Sequence, residues 1–192
     1  MMKTDYPLKA FKTPRSFETW LSRNHSKATG IRIKIAKKGS GIATARYDDL
    51  LQIALCYGWI DGQSKSIDAA WYCQRFTPRR ARSLWSKRNR VIVARLIEEG
   101  RMQPAGQAEI DRAKADGRWQ AAYDSPANAR VPEDLAEALR KSPRARRFFE
   151  SLDARNRYAI LHRLMTARRS ESRSKRLAAF MQMLLDGRKL YP

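Results

Sequence analysis

Two glycines enclosing an aromatic, an aliphatic and an acidic residue, in Gly58-Trp59-Ile60-Asp61-Gly62, constrain this chain more than any other stretch. Glycine reaches backbone conformations closed to other residues. The pair therefore predicts a sharp turn at Gly58, Asp61 presented near a sheet edge, and a second turn at Gly62. On the N-terminal side, Tyr47, Leu50, Leu51, Ala54 and Leu55 recur at helical spacing, Asp48 and Asp49 oppose the positive end of the dipole, and Gly58 is the left-handed stop. On the C-terminal side, Ile60 to Phe76 predicts a β-hairpin. Gln63 to Ala69 is its polar turn, Trp71 to Phe76 is rich in strand formers, and Pro78 ends it.

The flanking segments supply layers around that hairpin. Phe17, Trp20 and Leu21 follow Ser16, read as an N-cap, and predict a short amphipathic helix ending near His25. Ile31, Ile33 and Ile35 alternate with Arg32 and Lys34, a strand with one face buried and one cationic and wet. Lys37-Lys38-Gly39-Ser40-Gly41 is a mobile turn, and it lacks the spacing of a phosphate loop. Beyond Pro78 the periodicity turns helical. One helix carries Trp85, Asn89, Ile92, Val93, Leu96 and Ile97 to Gly100, and the next begins at Pro104 and runs to Gly117. Trp119 and Tyr123 close the first layer. After an aperiodic stretch, 124–131, come helices opening at Pro132, Ser142-Pro143, Asp153 and Ser170, the last stopping at Gly187. The expected fold is α+β: a small antiparallel sheet packed with helices over 1–123, a linker at about 124–131, and an all-helical C-terminal part over 124–192 packed on the first.

Charge is the strongest compositional signal, with 40 Lys and Arg against 19 Asp and Glu, a net +21 among 192 residues. Such a field selects polyanions, namely nucleic acid, anionic lipid or acidic protein, and says nothing of fold. The excess is spread along the chain, with a bias toward arginine in the last third. A hydrophobic content of 43% suffices for a real core. No run of about 18 apolar residues offers a transmembrane segment, and Met1 to Asp5 carry no apolar leader, so the expected location is cytoplasmic. Cys56 and Cys73 are too few for a disulfide framework or a zinc set and are expected reduced and buried.

Two clusters are candidates for binding. In the first, Asp61 lies beside Arg79 or Arg80, with Ser83, Ser86 and Asn89 as polar groups and Trp59, Trp71 and Trp85 as apolar walls; Gln63 and Arg101 complete the set. A small molecule or peptide suits such a site, and so does a structural knot of paired acid, capping hydroxyls and packed indoles. In the second cluster, Arg163, Arg168, Arg169, Arg173, Lys175 and Arg176 gather at the turn between the last two helices, where basic side chains could meet phosphates. Arg173, Lys175 and Arg176 have the wrong sign for the start of a helix, which hints at a use for the charge. His25 and His162 have no zinc-helix spacing and select no triad, so no catalytic residue, metal or cofactor is assigned.

The run Leu55-Cys56-Tyr57-Gly58-Trp59-Ile60-Asp61-Gly62-Gln63, with Arg75-Phe76-Thr77-Pro78-Arg79-Arg80, Ser83, Trp85-Ser86 and Asn89, resembles the bacterial YdeI/OmpD-associated, or bacteriocin-protection, family. Gly100-Arg101-Met102, Pro104-Ala105-Gly106, Asp116-Gly117-Arg118-Trp119 and Asn156-Arg157-Tyr158 extend the likeness over nearly the whole chain. Arg46 departs from it, standing where a Ser or Thr cap is expected. The resemblance implies a YjbR/CyaY-like N-terminal half and a non-enzymatic binding or stress-tolerance protein linked to antimicrobial-peptide or envelope-stress resistance. Those peptides are often cationic, so a +21 protein is a poor sponge for them, and protection is expected to be indirect. The alternatives are nucleic-acid binding through the C-terminal helices and a small-molecule-binding enzyme with a pocket around Asp61.

Overall fold

A computed structural model describes residues 6–192. They form two compact units: residues up to Leu84 with Asn89–Gln120, and Trp85–Arg88 with Ala121–Pro192.

The first unit contains β1 (Leu8–Ala10), α1 (Pro14–Asn24), β2 (Ile31–Ala36), α2 (Tyr47–Cys56), β3 (Trp59–Ser66), β4 (Trp71–Pro78), most of α3 (Lys87–Glu98) and α4 (Pro104–Ala115). Its sheet has the order β1-β2-β4-β3. The β2–β4 and β4–β3 pairs are antiparallel as expected, while β1 adds a parallel edge. Three exposed residues give β1 no periodicity of its own; pairing with β2, Lys9 opposite Ile33, makes it a strand. One sheet face is apolar. Ile31, Ile33, Ile35, Phe76 and Trp59 are almost wholly buried on it. There Phe17 of α1 packs 5.8 Å from the Phe76 ring, and Trp20 stands edge-on to Trp59 at 5.9 Å.

Local chemistry sets the boundaries. Thr13, not Ser16, caps α1: its hydroxyl accepts from the Ser16 amide at 3.2 Å, and Ser16 Oγ accepts from the Thr13 amide at 3.4 Å. Pro14 then occupies the first helical position, where its missing N–H costs nothing. Arg46 precedes α2 without a side-chain cap bond. Gly58 has a φ of +73°, the expected left-handed stop. A second closeness surrounds it. A Cβ on Gly58 would lie 2.8 Å from the carbonyl oxygen of Ala105, and a Cβ on Gly106 would strike that of Cys56, so the end of α2 and the first turn of α4 meet backbone to backbone.

Gly62 does not turn the chain. Strand β3 runs through it to Ser66, with a bulge where the pairing passes from Asp61–Phe76 to Ser64–Gln74. Gln74 Nε2 donates to the Gly62 carbonyl at 2.7 Å, and a Cβ at Gly62 would come within 2.6 Å of Arg75 Nε. The glycine lets the end of an arginine side chain lie directly over the strand, and a Cβ there would displace that flexible end. Elsewhere in the unit, Arg118 is 1% exposed, donating to both Asp116 oxygens at 2.8 and 2.6 Å and to the Ser83 carbonyl at 2.9 Å. Both cysteines are buried and free, and burial pushes the Cys56 thiol up to about 11.

In the second unit, α5 (Glu133–Lys141), α6 (Pro143–Ser151), α7 (Ala154–Met165) and α8 (Ser170–Leu185) enclose a core of Leu135, Leu139, Phe149, Ile160, Leu164 and Leu184. Ser142 and Asp153 cap α6 and α7 through their side chains. The chain end is clamped by Asn156, 1% exposed. Its Oδ1 accepts from the amides of Leu190 and Tyr191 at 3.0 and 2.9 Å, and its Nδ2 donates to Asp153 Oδ2 at 2.9 Å and to the Tyr191 carbonyl at 3.1 Å. Residues 85–88 belong here because Ser86 pairs with Tyr123, whose amide donates to the Trp85 carbonyl at 3.0 Å. The units are therefore not consecutive in sequence, and 124–131 lies within the second.

Candidate functional site

The corner at Gly58 positions the first cluster. Trp59 opens β3 opposite Pro78, and its Nε1 donates to the His25 carbonyl at 3.1 Å. Asp61, two residues on, shares the helix-covered face. Its Oδ2 accepts the hydroxyl of Tyr47 at 2.8 Å, so the partner is a tyrosine at the start of α2 rather than the expected arginine. The expected pairing fails because Arg79 is used elsewhere: its amide donates to the Gly58 carbonyl at 3.0 Å, and its Nη1 to the Leu84 carbonyl at 3.2 Å. Arg80 and Ser83 close a tight turn, the Arg80 amide donating to Ser83 Oγ at 3.0 Å. Gln63 is exposed beyond the bulge. Arg101 donates to Glu99 at 3.0 Å, and Asn89 is buried in α3. Trp85 and Ser86 belong to the second unit, both buried. Trp71 opens β4 on the opposite sheet face from Trp59 and Asp61. The eleven residues of this cluster are thus divided between two units, nine in the first and two in the second.

Tyr47 links Asp61 to a groove of about 690 Å³, lined by the glycine loop from Lys37 to Thr44 with Arg46, Asp48 and Tyr72. Burial raises the pKa of the Tyr72 hydroxyl, and the negative charge of Asp48 raises it further. Phenol rings, two glycines at positive φ and the cations Lys38 and Arg46 in the lining suit a small anionic or aromatic ligand.

The C-terminal arginines have a structural task. Arg173 donates to both oxygens of Asp134 at 2.6 and 2.9 Å and to the Leu164 carbonyl at 2.7 Å; Arg176 donates to the Arg163 carbonyl at 2.6 Å. Leu164 and Arg163 end α7, so charge of the wrong sign for the start of α8 is the right sign for the end of α7. The hydrogen bonds from Arg173 hold the Asp134 carboxyl below its ordinary value. Arg163 donates to the Tyr191 hydroxyl at 3.2 Å and Lys175 to Glu171 at 2.6 Å, while Arg168 and Arg169 are exposed before α8.

His162 packs edge-on to Tyr123 at 4.6 Å and tilted to Tyr158 at 5.7 Å. Burial, aided by the charge of Arg163, holds its pKa below the ordinary 6.5. The unfolded chain takes up this proton at a higher pH than the folded one, so the contribution of His162 to stability is present above 6.5 and lost as pH falls through the folded value. Urea unfolding of the second unit is expected to move to lower denaturant between about pH 7.5 and pH 5, and less so in His162→Phe. Equal shifts in both proteins would contradict this.

Sequence reasoning missed Tyr47 as the partner of Asp61, since nothing in their spacing predicts that a helix start meets a strand. It also passed over Arg75, which period two places on the same face as Trp71 and Cys73.

Together these features define a class: a small α+β unit whose mixed sheet is helix-covered on one face, joined to a four-helix unit. Residues 9–109, just over half the chain, match the model of a domain of unknown function, DUF8412, and the protein belongs to that family. Residues 128–187 match the family described as bacteriocin-protection, YdeI or OmpD-associated. The resemblance to that family therefore holds for the helical tail, whereas the Gly58 motif falls in the DUF8412 region, and the expected YjbR/CyaY likeness is not supported. No curated protein and no solved structure matches the chain. No helix among the described residues is long and apolar enough to cross a membrane.

Proposed function

We propose that this protein is a non-enzymatic, cytoplasmic binding protein that contributes to bacteriocin or antimicrobial-peptide tolerance through an anionic partner. The observation that carries the reading is the match of residues 128–187 to the bacteriocin-protection family. The net charge of +21 gives its direction, because a cationic protein repels cationic peptides and attracts polyanions. Deleting the gene in its host is expected to lower the inhibitory concentration of a cationic bacteriocin, while the purified protein leaves the free peptide concentration unchanged. Unaltered sensitivity, or direct capture of the peptide at physiological salt, overturns the reading. A second reading, a small ligand in the groove beside Tyr47, rests on the tyrosines and cations lining it. Native mass spectrometry of the purified protein tests it, a retained small molecule being the supporting result and an unliganded mass the opposing one.

A further inference from the structure

The sheet face opposite the helices brings like charges together. In the β2–β4 register Arg32 lies directly opposite Arg75, and the next residue pair on that face is Lys34 with Cys73. In the β3–β4 register Cys73 also faces Lys65. Four cations therefore form a grid across three neighbouring strands, with Cys73 buried at its centre. Like charges directly opposite on a sheet are destabilising. A face selected for stability alone would alternate the signs, yet the residues of β2, β3 and β4 sharing this face include no carboxylate.

The side chains are arranged rather than merely tolerated. Arg32 Nε donates to the Tyr6 carbonyl at 2.9 Å, while the Arg75 guanidinium lies over Gly62 on the other side, so the opposed arginines splay apart and lie along the sheet. Arg75 Nε is buried with no hydrogen-bond partner among the described residues. Lys34 Nζ sits 4.2 Å from the centre of the Trp71 ring, and Trp71 is half-buried on the same face. Alternate residues of a strand are spaced by about 6.6–6.8 Å, so the cations repeat at the reach of one extended nucleotide.

We propose that this cationic face binds single-stranded nucleic acid, with backbone phosphates on Arg32, Lys34, Lys65 and Arg75 and a base stacked at Trp71. A positively charged, aromatic-bearing surface that tracks an extended strand is how unpaired nucleic acid is held without sequence preference. A duplex hides its base faces and would leave the indole unused. The proposal rests on the anionic-partner reading above and names the partner and its place.

The test uses the full chain and fluorescence anisotropy with labelled oligothymidylate, a duplex of mixed sequence, and vesicles containing phosphatidylglycerol. Oligothymidylate is expected to bind more tightly than the duplex, with affinity falling steeply between about 50 and 200 mM salt. Lys34→Gln with Lys65→Gln is expected to weaken binding roughly tenfold and to reduce the salt slope by about 1.4. Arg168→Gln with Arg169→Gln removes the same charge from the second unit and is expected to leave both nearly unchanged. Should the double lysine variant lose its fold, Lys65→Gln alone, at an exposed position, is expected to show about half the change in slope. Equal losses in the two charge-matched variants, or duplex binding as tight as single strand, would overturn the proposal. Vesicle binding without oligonucleotide binding would overturn it and leave the anionic-partner reading standing, and no binding to any of the three at low salt would overturn it and confine that reading to an acidic protein.

Discussion

Replacing Gly58 with alanine is expected to destabilise the first unit by about 2–5 kcal/mol, since two independent penalties fall on one methyl group. Holding a residue with a Cβ in the left-handed region costs about 1–2 kcal/mol, and Gly58 stands at φ +73°. Driving that carbon to 2.8 Å from the Ala105 carbonyl adds an overpacking cost of about 1–3 kcal/mol, with backbone and not a flexible side chain as the obstacle. Asparagine tolerates the dihedral but still carries a Cβ, so Gly58→Asn is expected to recover only the first penalty. Gly106→Ala, which meets the Cys56 carbonyl from the other side, is expected to show the second alone. Urea unfolding read together with hydrogen exchange of the α2 and β3 amides measures all three. A cost for Gly58→Ala within about 0.5 kcal/mol, the range of an ordinary surface change, would mean that α2 and α4 do not approach as described.

Asn156→Ala is the second large effect. The side chain satisfies two backbone amides and one carbonyl at the chain end while bonding Asp153, all inside a position 1% exposed. Stranding each buried polar group costs about 1–3 kcal/mol, and part of the loss is relieved if residues 190–191 swing into water. The net expectation is about 3 kcal/mol of stability in the second unit, with amide exchange at Leu190 and Tyr191 accelerating before that of α7. Asn156→Asp keeps the acceptors but sets a carboxylate against Asp153, so it is expected to rescue poorly at neutral pH and better in acid. Unchanged exchange at Leu190 and Tyr191 in Asn156→Ala would show that the end is held by something else.

Much of the first unit was legible in local pattern. The isoleucines at 31, 33 and 35 announced both a strand and a wet cationic face, and the helix ending at Gly58 is where the leucine spacing places it. Gly62 was misread because a glycine beside a polar stretch looks like a turn, whereas here it lies under the side chain of Arg75, which strand pairing and not local sequence brings alongside. The arginines at 173 and 176 were similarly ambiguous. Read along α8 they oppose its dipole; read in space they neutralise the end of α7.

Helix and strand periodicity, the left-handed stop at Gly58 and the surplus of cations were determined by the sequence itself, because each depends on neighbours a few residues away or on a simple sum of charge. The choice of Tyr47 as the partner of Asp61, the parallel edge strand β1, and the facing of Arg32 with Arg75 were decided by the tertiary structure. These join residues far apart in the chain, and which of many chemically suitable partners meets is set by register and packing, which local composition does not encode.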